Sequence, residues 1–116
     1  MQRRWIEPTI WEATPQGPSF AVTHPYVRRF WTAVIGPGAV ADLLRLATAA
    51  RRGRSLRVPT HLDVLVTVGL VVAVDVMAPA VVDRIPLVPR QLRTRLTPAL
   101  RREHAAHVWG TAVVGR

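Results

Sequence analysis

Arginine is the residue type with the clearest capacity for chemistry in this sequence. All 16 basic side chains are arginine, against 7 acidic ones, and the formal net charge is +9. Four of them stand close together in "RRGRSLR", as Arg51, Arg52, Arg54 and Arg57. Guanidinium groups bind phosphate through pairs of parallel hydrogen bonds. A positive field of this size favours nucleic acid, an anionic membrane or an acidic protein as partner. These four side chains are therefore candidate phosphate contacts.

A second group of arginines lies nearer the C-terminus. Arg84, Arg90 and Arg93 are further candidate phosphate contacts, in a region that also carries Arg95, Arg101 and Arg102. The alternative is a solvated basic face without a ligand. The sequence contains no lysine and no asparagine but many alanines and valines, which is typical of a high-GC genome. The arginine excess is therefore either functional or compositional, and both interpretations stay open.

Other chemistry has weaker support. The absence of cysteine excludes disulfides, thiolate metal sites and cysteine nucleophiles, and it fits a cytoplasmic location. His104 and His107 can share a helix face as metal ligands do, but no third ligand is evident. His61 and Asp63 are two residues apart and do not face each other on a helix. No nucleophile elbow, P-loop or dinucleotide-binding motif occurs. We expect no enzyme activity, cofactor or metal.

The first 25 residues predict an extended arm, because four prolines in this stretch prevent a long helix. Trp5, Trp11 and Phe20 are its large apolar residues and the candidate partner-binding positions. The arm lies either on its own domain or on a protein partner. Residues 26–109 then form a single domain, and 110–116 form a tail.

Two amphipathic helices follow the arm. "YVRRFWTAV" places Tyr26, Phe30 and Val34 on one face, and "GPG" at 36–38 ends the segment. "AVADLLRLATAARRG" carries a second apolar stripe, and Gly53 is suited to a left-handed C-cap. "SLRV" at 55–58 predicts a short strand. Thr60 is the expected N-cap of the next helix, with Asp63 completing a capping-box-like pair.

The valine-rich run "LDVLVTVGLVVAVDVMAPAVVD" at 62–83 has three interpretations. A membrane span has the right length, but Asp63, Gly69, Asp75 and Pro79 interrupt the run. A single strand of this length is far outside the usual range. We favour a helix over 61–68 that ends at Gly69, followed by a hairpin with strands at 70–77 and 80–85. With residue 77 opposite residue 80, Arg84 becomes the diagonal neighbour of Asp75.

The C-terminal region predicts two short helices, "RQLRTRL" and "PALRREHAAHVWG". Thr97 is the expected cap of the second helix, and Pro98 its first residue. Together these elements predict an α+β fold: a small, mostly helical domain with a two-stranded β-hairpin and an extended proline-rich N-terminal arm.

The order of elements over residues 38–88 resembles the winged-helix DNA-binding fold, mainly at the "VTVGLV" junction between helix and hairpin. In that family the helix before the wing usually lies in the major groove, and the wing contacts the backbone or the minor groove. The chain also resembles small, functionally unassigned actinobacterial proteins, through "HPYVRRFW" and "PLVPRQLRTRLTPALRREH". That second resemblance implies no activity.

The sequence departs from the winged-helix pattern in two ways. The supporting middle helix is missing or reduced to a turn, and the helix "HLDVLVTV" lacks the Arg, Asn or Gln that usually read base edges. We therefore expect arginine–phosphate contact with nucleic acid, DNA being favoured, with weak sequence preference and in a regulatory or accessory role. The alternative is an interaction subunit of a larger assembly that docks through its aromatic arm.

Overall fold

The computed structural model describes residues 5–12, 17–73, 75 and 77–114, with side chains up to residue 108. It shows a mixed α+β fold in which short strands alternate with helices. The strands are β1 (Trp5–Ile6), β2 (Thr9–Trp11), β3 (Ser19–Phe20), β4 (Leu56–Arg57), β5 (Val71–Val72), β6 (Ala80–Val82) and β7 (Ile85–Pro86). The helices are a π-helical stretch (Val27–Trp31) continuing into α1 (Thr32–Ile35), then α2 (Pro37–Arg52), α3 (Leu62–Thr67), a 3₁₀ helix (Arg90–Arg95) and α4 (Pro98–Val114).

The helical predictions before residue 60 are confirmed. The face of the first helix that carries Tyr26, Phe30 and Val34 is buried in the core. Helix α2 begins with Pro37 in its first turn and ends at Gly53, whose φ of 61° and ψ of 37° place it in the left-handed region. The backbone N–H of Gly53 satisfies carbonyls of the last turn, as expected of a C-cap glycine.

The N-terminal segment pairs strand by strand with later parts of the chain. β1 runs antiparallel to β4, β2 runs parallel to β6, and β3 runs antiparallel to β7. The side chains of Ile6 and Phe20 enter the core. The extended proline-rich arm is therefore not confirmed, because the described part of this segment lies on its own domain and supplies strands to three small sheets.

The valine run divides at Gly69 as expected, where φ is +83°. The predicted hairpin register is wrong, however: Val71 lies opposite Val81 and Val72 opposite Ala80. β5 ends at Val72 and β6 begins only at Ala80, so the two strands do not meet at a tight turn over 78–79. Between them, the Asp75 carboxylate accepts a hydrogen bond from the Met77 N–H. Residues 74 and 76 of the predicted strand lie outside the described residues.

The predicted Arg84–Asp75 pairing is also wrong. β6 ends at Val82, and the chain then pairs with β3 through β7. The Arg84 guanidinium donates to the hydroxyl and to the carbonyl oxygen of Ser19, at 3.1 and 2.7 Å. Because β2 adds a third strand beside β6, the sheet is not an isolated two-stranded wing, and the winged-helix arrangement is not confirmed.

Capping was predicted correctly for one later helix and wrongly for another. The Thr97 hydroxyl accepts a hydrogen bond from the Leu100 N–H at the start of α4, as expected. Thr60 does not cap α3: the N-cap residue is His61, and its own side chain makes no capping bond. The acceptor comes instead from α2, where the Asp42 carboxylate receives the His61 N–H. Helix α4 continues to Val114, beyond the expected start of a tail at residue 110.

Candidate anion-binding site

Four arginines converge on one cavity between the 3₁₀ helix and the first half of α4. The cavity has a volume of about 620 Å³, and its cationic lining comes from Arg90, Arg93, Arg101 and Arg102. Thr94, Ala105 and Val108 complete the wall, together with the buried ring of His104. The lining thus combines four arginine side chains, whose guanidinium groups can donate hydrogen bonds to a compact anion, with apolar contact.

Backbone carbonyls hold two of these arginines in place. The Nε of Arg93 donates to the Val88 carbonyl oxygen at 2.8 Å. Arg101 donates to the Leu96 carbonyl oxygen from Nε and Nη2, each at 3.4 Å. Each guanidinium carries five N–H donors, so donors remain for a ligand after these bonds. These hydrogen bonds limit the motion of the two side chains. Binding an anion would therefore cost less side-chain conformational entropy than it would with unanchored arginines.

The charge around this cavity has no acidic counterpart in the described part of the chain. The ion pairs of arginine found there are Arg29 with Glu103 and Arg45 with Asp42, and neither involves the cavity. No acidic residue occupies the first turn of α4, where the helix dipole already favours negative charge. The potential at the cavity is therefore positive and suited to an anionic ligand.

A buried hydrogen-bond network supports the wall of the cavity. The Tyr26 hydroxyl lies 2.6 Å from Nε2 of His104 and accepts a hydrogen bond from the Val88 N–H at 2.8 Å. Burial, and then the positive charge of Arg93, lowers the pKa of His104 below its usual value. In the neutral tautomer that carries no proton on Nε2, this nitrogen accepts a hydrogen bond from the Tyr26 hydroxyl. This network fixes Val88, whose carbonyl in turn holds Arg93.

Sequence reasoning missed this network because it considered His104 only as a possible metal ligand beside His107. Only 2% of His104 is exposed, and its ring packs against Tyr26 and Phe30. The available signal was the apolar face of the first helix, which carries a tyrosine whose hydroxyl needs a buried partner. The identity of the partner, 78 residues away, could not be read from that face.

A second polar cluster lies where α2 meets α3. Asp42 is 4% exposed and accepts hydrogen bonds from the His61 backbone N–H at 3.0 Å and from Arg45 at 3.1 Å. It also lies 2.9 Å from Nδ1 of the His61 ring. In catalytic sites a carboxylate in this position orients a histidine that acts as a general base. Here the same carboxylate also accepts the backbone N–H at the N-terminus of α3. A carboxylate on the buried face of a predicted helix was a signal that sequence reasoning passed over.

The first arginine cluster lines a different depression from the second. Arg52 and Arg54, together with Arg45, line a depression of about 320 Å³ beside α2. Arg51 is exposed at the end of α2, and the Arg57 guanidinium lies 5.9 Å from the centre of the Trp5 ring. Of the seven predicted phosphate contacts, the structure thus brings Arg90 and Arg93 together in the main cavity and Arg52 and Arg54 together in the other. Arg84 is bonded to Ser19.

The three candidate partner-binding residues divide between surface and core. Trp5 is 55% exposed and Trp11 is 44% exposed. Phe20 is buried and stacks on Tyr26, with ring centres 4.2 Å apart. The two tryptophans are accessible to a partner, whereas Phe20 packs inside the protein.

Comparisons with known proteins add no family assignment. No protein-family model, curated protein or solved structure matches the chain. Among the residues described, no helix is both long enough and apolar enough to cross a membrane. The functional conclusion therefore depends on the geometry and charge of the site.

Proposed function

We propose that this protein binds nucleic acid, with DNA favoured, through arginine–phosphate contacts and without catalysis. The observation that carries the proposal is the convergence of Arg90, Arg93, Arg101 and Arg102 on one cavity with no acidic residue in its lining. The exposed arginines at 51–54 provide a second basic area. A regulatory or accessory role and a cytoplasmic location stay predictions, as does the winged-helix resemblance.

Sequence preference should be weak. The exposed positions of α3 include Asp63, Val66 and Thr67, and none of these is an Arg, Lys, Asn or Gln, the side chains that make bidentate contacts to guanine or adenine. Binding that depends on phosphate contacts varies steeply with salt, because each neutralised phosphate releases condensed counterions. Salt dependence is therefore the property that separates this function from its alternatives.

The test is fluorescence anisotropy of a labelled duplex across a salt series. Each phosphate contact contributes about −0.9 to the slope of log K against log salt concentration. We expect the paired substitutions Arg90→Gln with Arg102→Gln, and Arg51→Gln with Arg52→Gln, each to reduce the size of the slope by roughly one to two. The charge-matched control is Arg28→Gln with Arg95→Gln, since both residues are exposed and neither lines the arginine cavity. Absence of binding at low salt, or a flat salt dependence, would overturn the proposal.

The second candidate function is docking to a protein partner through the exposed Trp5 and Trp11. Aromatic anchors of this kind dominate the energetics of many interfaces. Deleting the N-terminal segment is not a clean test, because β1 and β2 pair with the rest of the chain. Replacing both tryptophans with serine should abolish partner capture while the variant stays folded by far-UV circular dichroism; because each tryptophan is about half buried, its Tm should fall. Val58→Ser with Val66→Ser, also at exposed apolar positions, is the control.

A further inference from the structure

We propose that the cavity between the 3₁₀ helix and α4 binds a phosphomonoester joined to an apolar or aromatic body of nucleotide size. This inference rests on the phosphate recognition proposed above and assigns it a specific ligand chemistry. The shared group has two possible sources, a free mononucleotide and the phosphorylated 5′ end of a strand.

The arrangement of charge favours a compact anion over a stretch of duplex backbone. Phosphates of a duplex follow one another along a line, with one charge per about 1.7 Å of helix axis. The four arginine side chains instead line one concave space of about 620 Å³. A phosphomonoester carries a charge of about −1.5 to −2 near neutral pH, which exceeds the single charge of a backbone diester. Several cations around one space therefore match a terminal phosphate better than an internal one.

The size and remaining lining of the cavity indicate what the phosphate is attached to. Sites for small molecules commonly have volumes of about 300–1,000 Å³, with mostly apolar walls and a few placed polar groups. Inorganic phosphate would leave most of this cavity unfilled. Ala105 and Val108 provide apolar contact on the α4 side, and the planar guanidinium groups can stack on an aromatic ring. A nucleotide has both the charged end and the flat body that this lining suits.

Two of the arginines are already positioned for such a ligand. Arg93 is held by Val88 and Arg101 by Leu96, both through backbone carbonyls. The side chains of Arg90 and Arg102 are exposed and make no hydrogen bond or ion pair within the described chain. They can therefore move onto the phosphate. Their substitution tests ligand binding without removing a contact that supports the fold.

The experiment is calorimetric titration of the full chain with AMP, adenosine, inorganic phosphate and a short 5′-phosphorylated single strand beside its 5′-hydroxyl counterpart. We expect AMP to bind, adenosine not to bind, and inorganic phosphate to bind more weakly than AMP. Arg90→Gln with Arg102→Gln should weaken AMP roughly ten-fold or more, the loss expected for one or more charge-assisted contacts. Arg95→Gln, on the same 3₁₀ helix but outside the cavity lining, should change affinity less than about two-fold.

Each outcome decides the proposal. A phosphorylated strand that binds while AMP does not identifies the strand end as the source. Equal affinity for inorganic phosphate and AMP would show that the nucleoside part of the ligand does not contribute to binding, and would contradict the proposal. Failure of both AMP and the phosphorylated strand, or equal weakening by Arg95→Gln, overturns the site. Duplex binding with a steep salt slope, but no binding of AMP or of the phosphorylated strand, refutes this inference alone. Binding of AMP without any binding of duplex refutes the proposed duplex binding alone.

Discussion

Removing the Tyr26 hydroxyl should destabilise the protein more than any comparable loss of a surface hydroxyl. In Tyr26→Phe, the Val88 N–H loses its acceptor and Nε2 of His104 loses its donor. Tyr26 and His104 are each 2% exposed, so water cannot easily replace the missing oxygen. Each unsatisfied buried group costs about 1–3 kcal/mol. Allowing for some relaxation, the free energy of unfolding should fall by roughly 2–4 kcal/mol, a large share of the usual 5–15 kcal/mol.

The assay is urea unfolding followed by tryptophan fluorescence, with thermal unfolding in parallel. For a domain of this size, Tm should fall by roughly 8–16 °C. The matched control is Thr67→Val, which removes an exposed hydroxyl bonded to the Asp63 carbonyl oxygen and should change stability by less than about 0.5 kcal/mol. A Tyr26→Phe protein as stable as the wild type would show that this network does not hold the wall of the cavity.

Three further predictions concern other positions. His104 faces Tyr26, Phe30, Arg93 and His107, and its burial lowers the pKa of its ring. As pH falls, the unfolded chain therefore takes up a proton at this histidine at a higher pH than the folded chain does. The free energy of unfolding should then fall as pH drops below about 6.5, with a slope of up to about 1.4 kcal/mol per pH unit. His104→Gln should flatten that slope in urea titrations at several pH values, and an unchanged slope would contradict the buried neutral histidine. Asp42→Ala should cost about 1–3 kcal/mol because it leaves the His61 N–H without its acceptor, whereas Glu12→Ala, at an exposed position, should cost less than about 0.5 kcal/mol. Gly53→Ala should cost about 1 kcal/mol in the same assay because φ is +61°, and a neutral result would contradict the left-handed C-cap.

The helices could be predicted because their signals are local. The apolar face that carries Tyr26 and Phe30, the left-handed Gly53 and the Thr97 cap all depend on residues within a few positions of one another. The sequence predicted that a strand pair follows Gly69, but it did not predict the register of that pair. The parallel partner β2, some 70 residues earlier in the chain, covers one side of β6, and no local pattern encodes that pairing.

The candidate site was predictable only in part for the same reason. Arg90 and Arg93 were selected from a local excess of charge, and the structure places them beside Arg101 and Arg102 across a turn. The Tyr26–His104 hydrogen bond and the Asp42–His61 contact join segments that are far apart in the sequence. The sequence alone indicates only that Tyr26 and Asp42 are polar residues on apolar helix faces. Their partners became evident only when the elements were packed together.

The most direct test of phosphate recognition is the slope of log K against log salt concentration for a duplex, measured for the wild type and for Arg90→Gln with Arg102→Gln. We expect a clearly negative wild-type slope that becomes shallower by roughly one to two in the variant, while the Arg28→Gln and Arg95→Gln control keeps the wild-type value. Identical slopes for the wild type and the cavity variant would contradict a role for these arginines in binding phosphate.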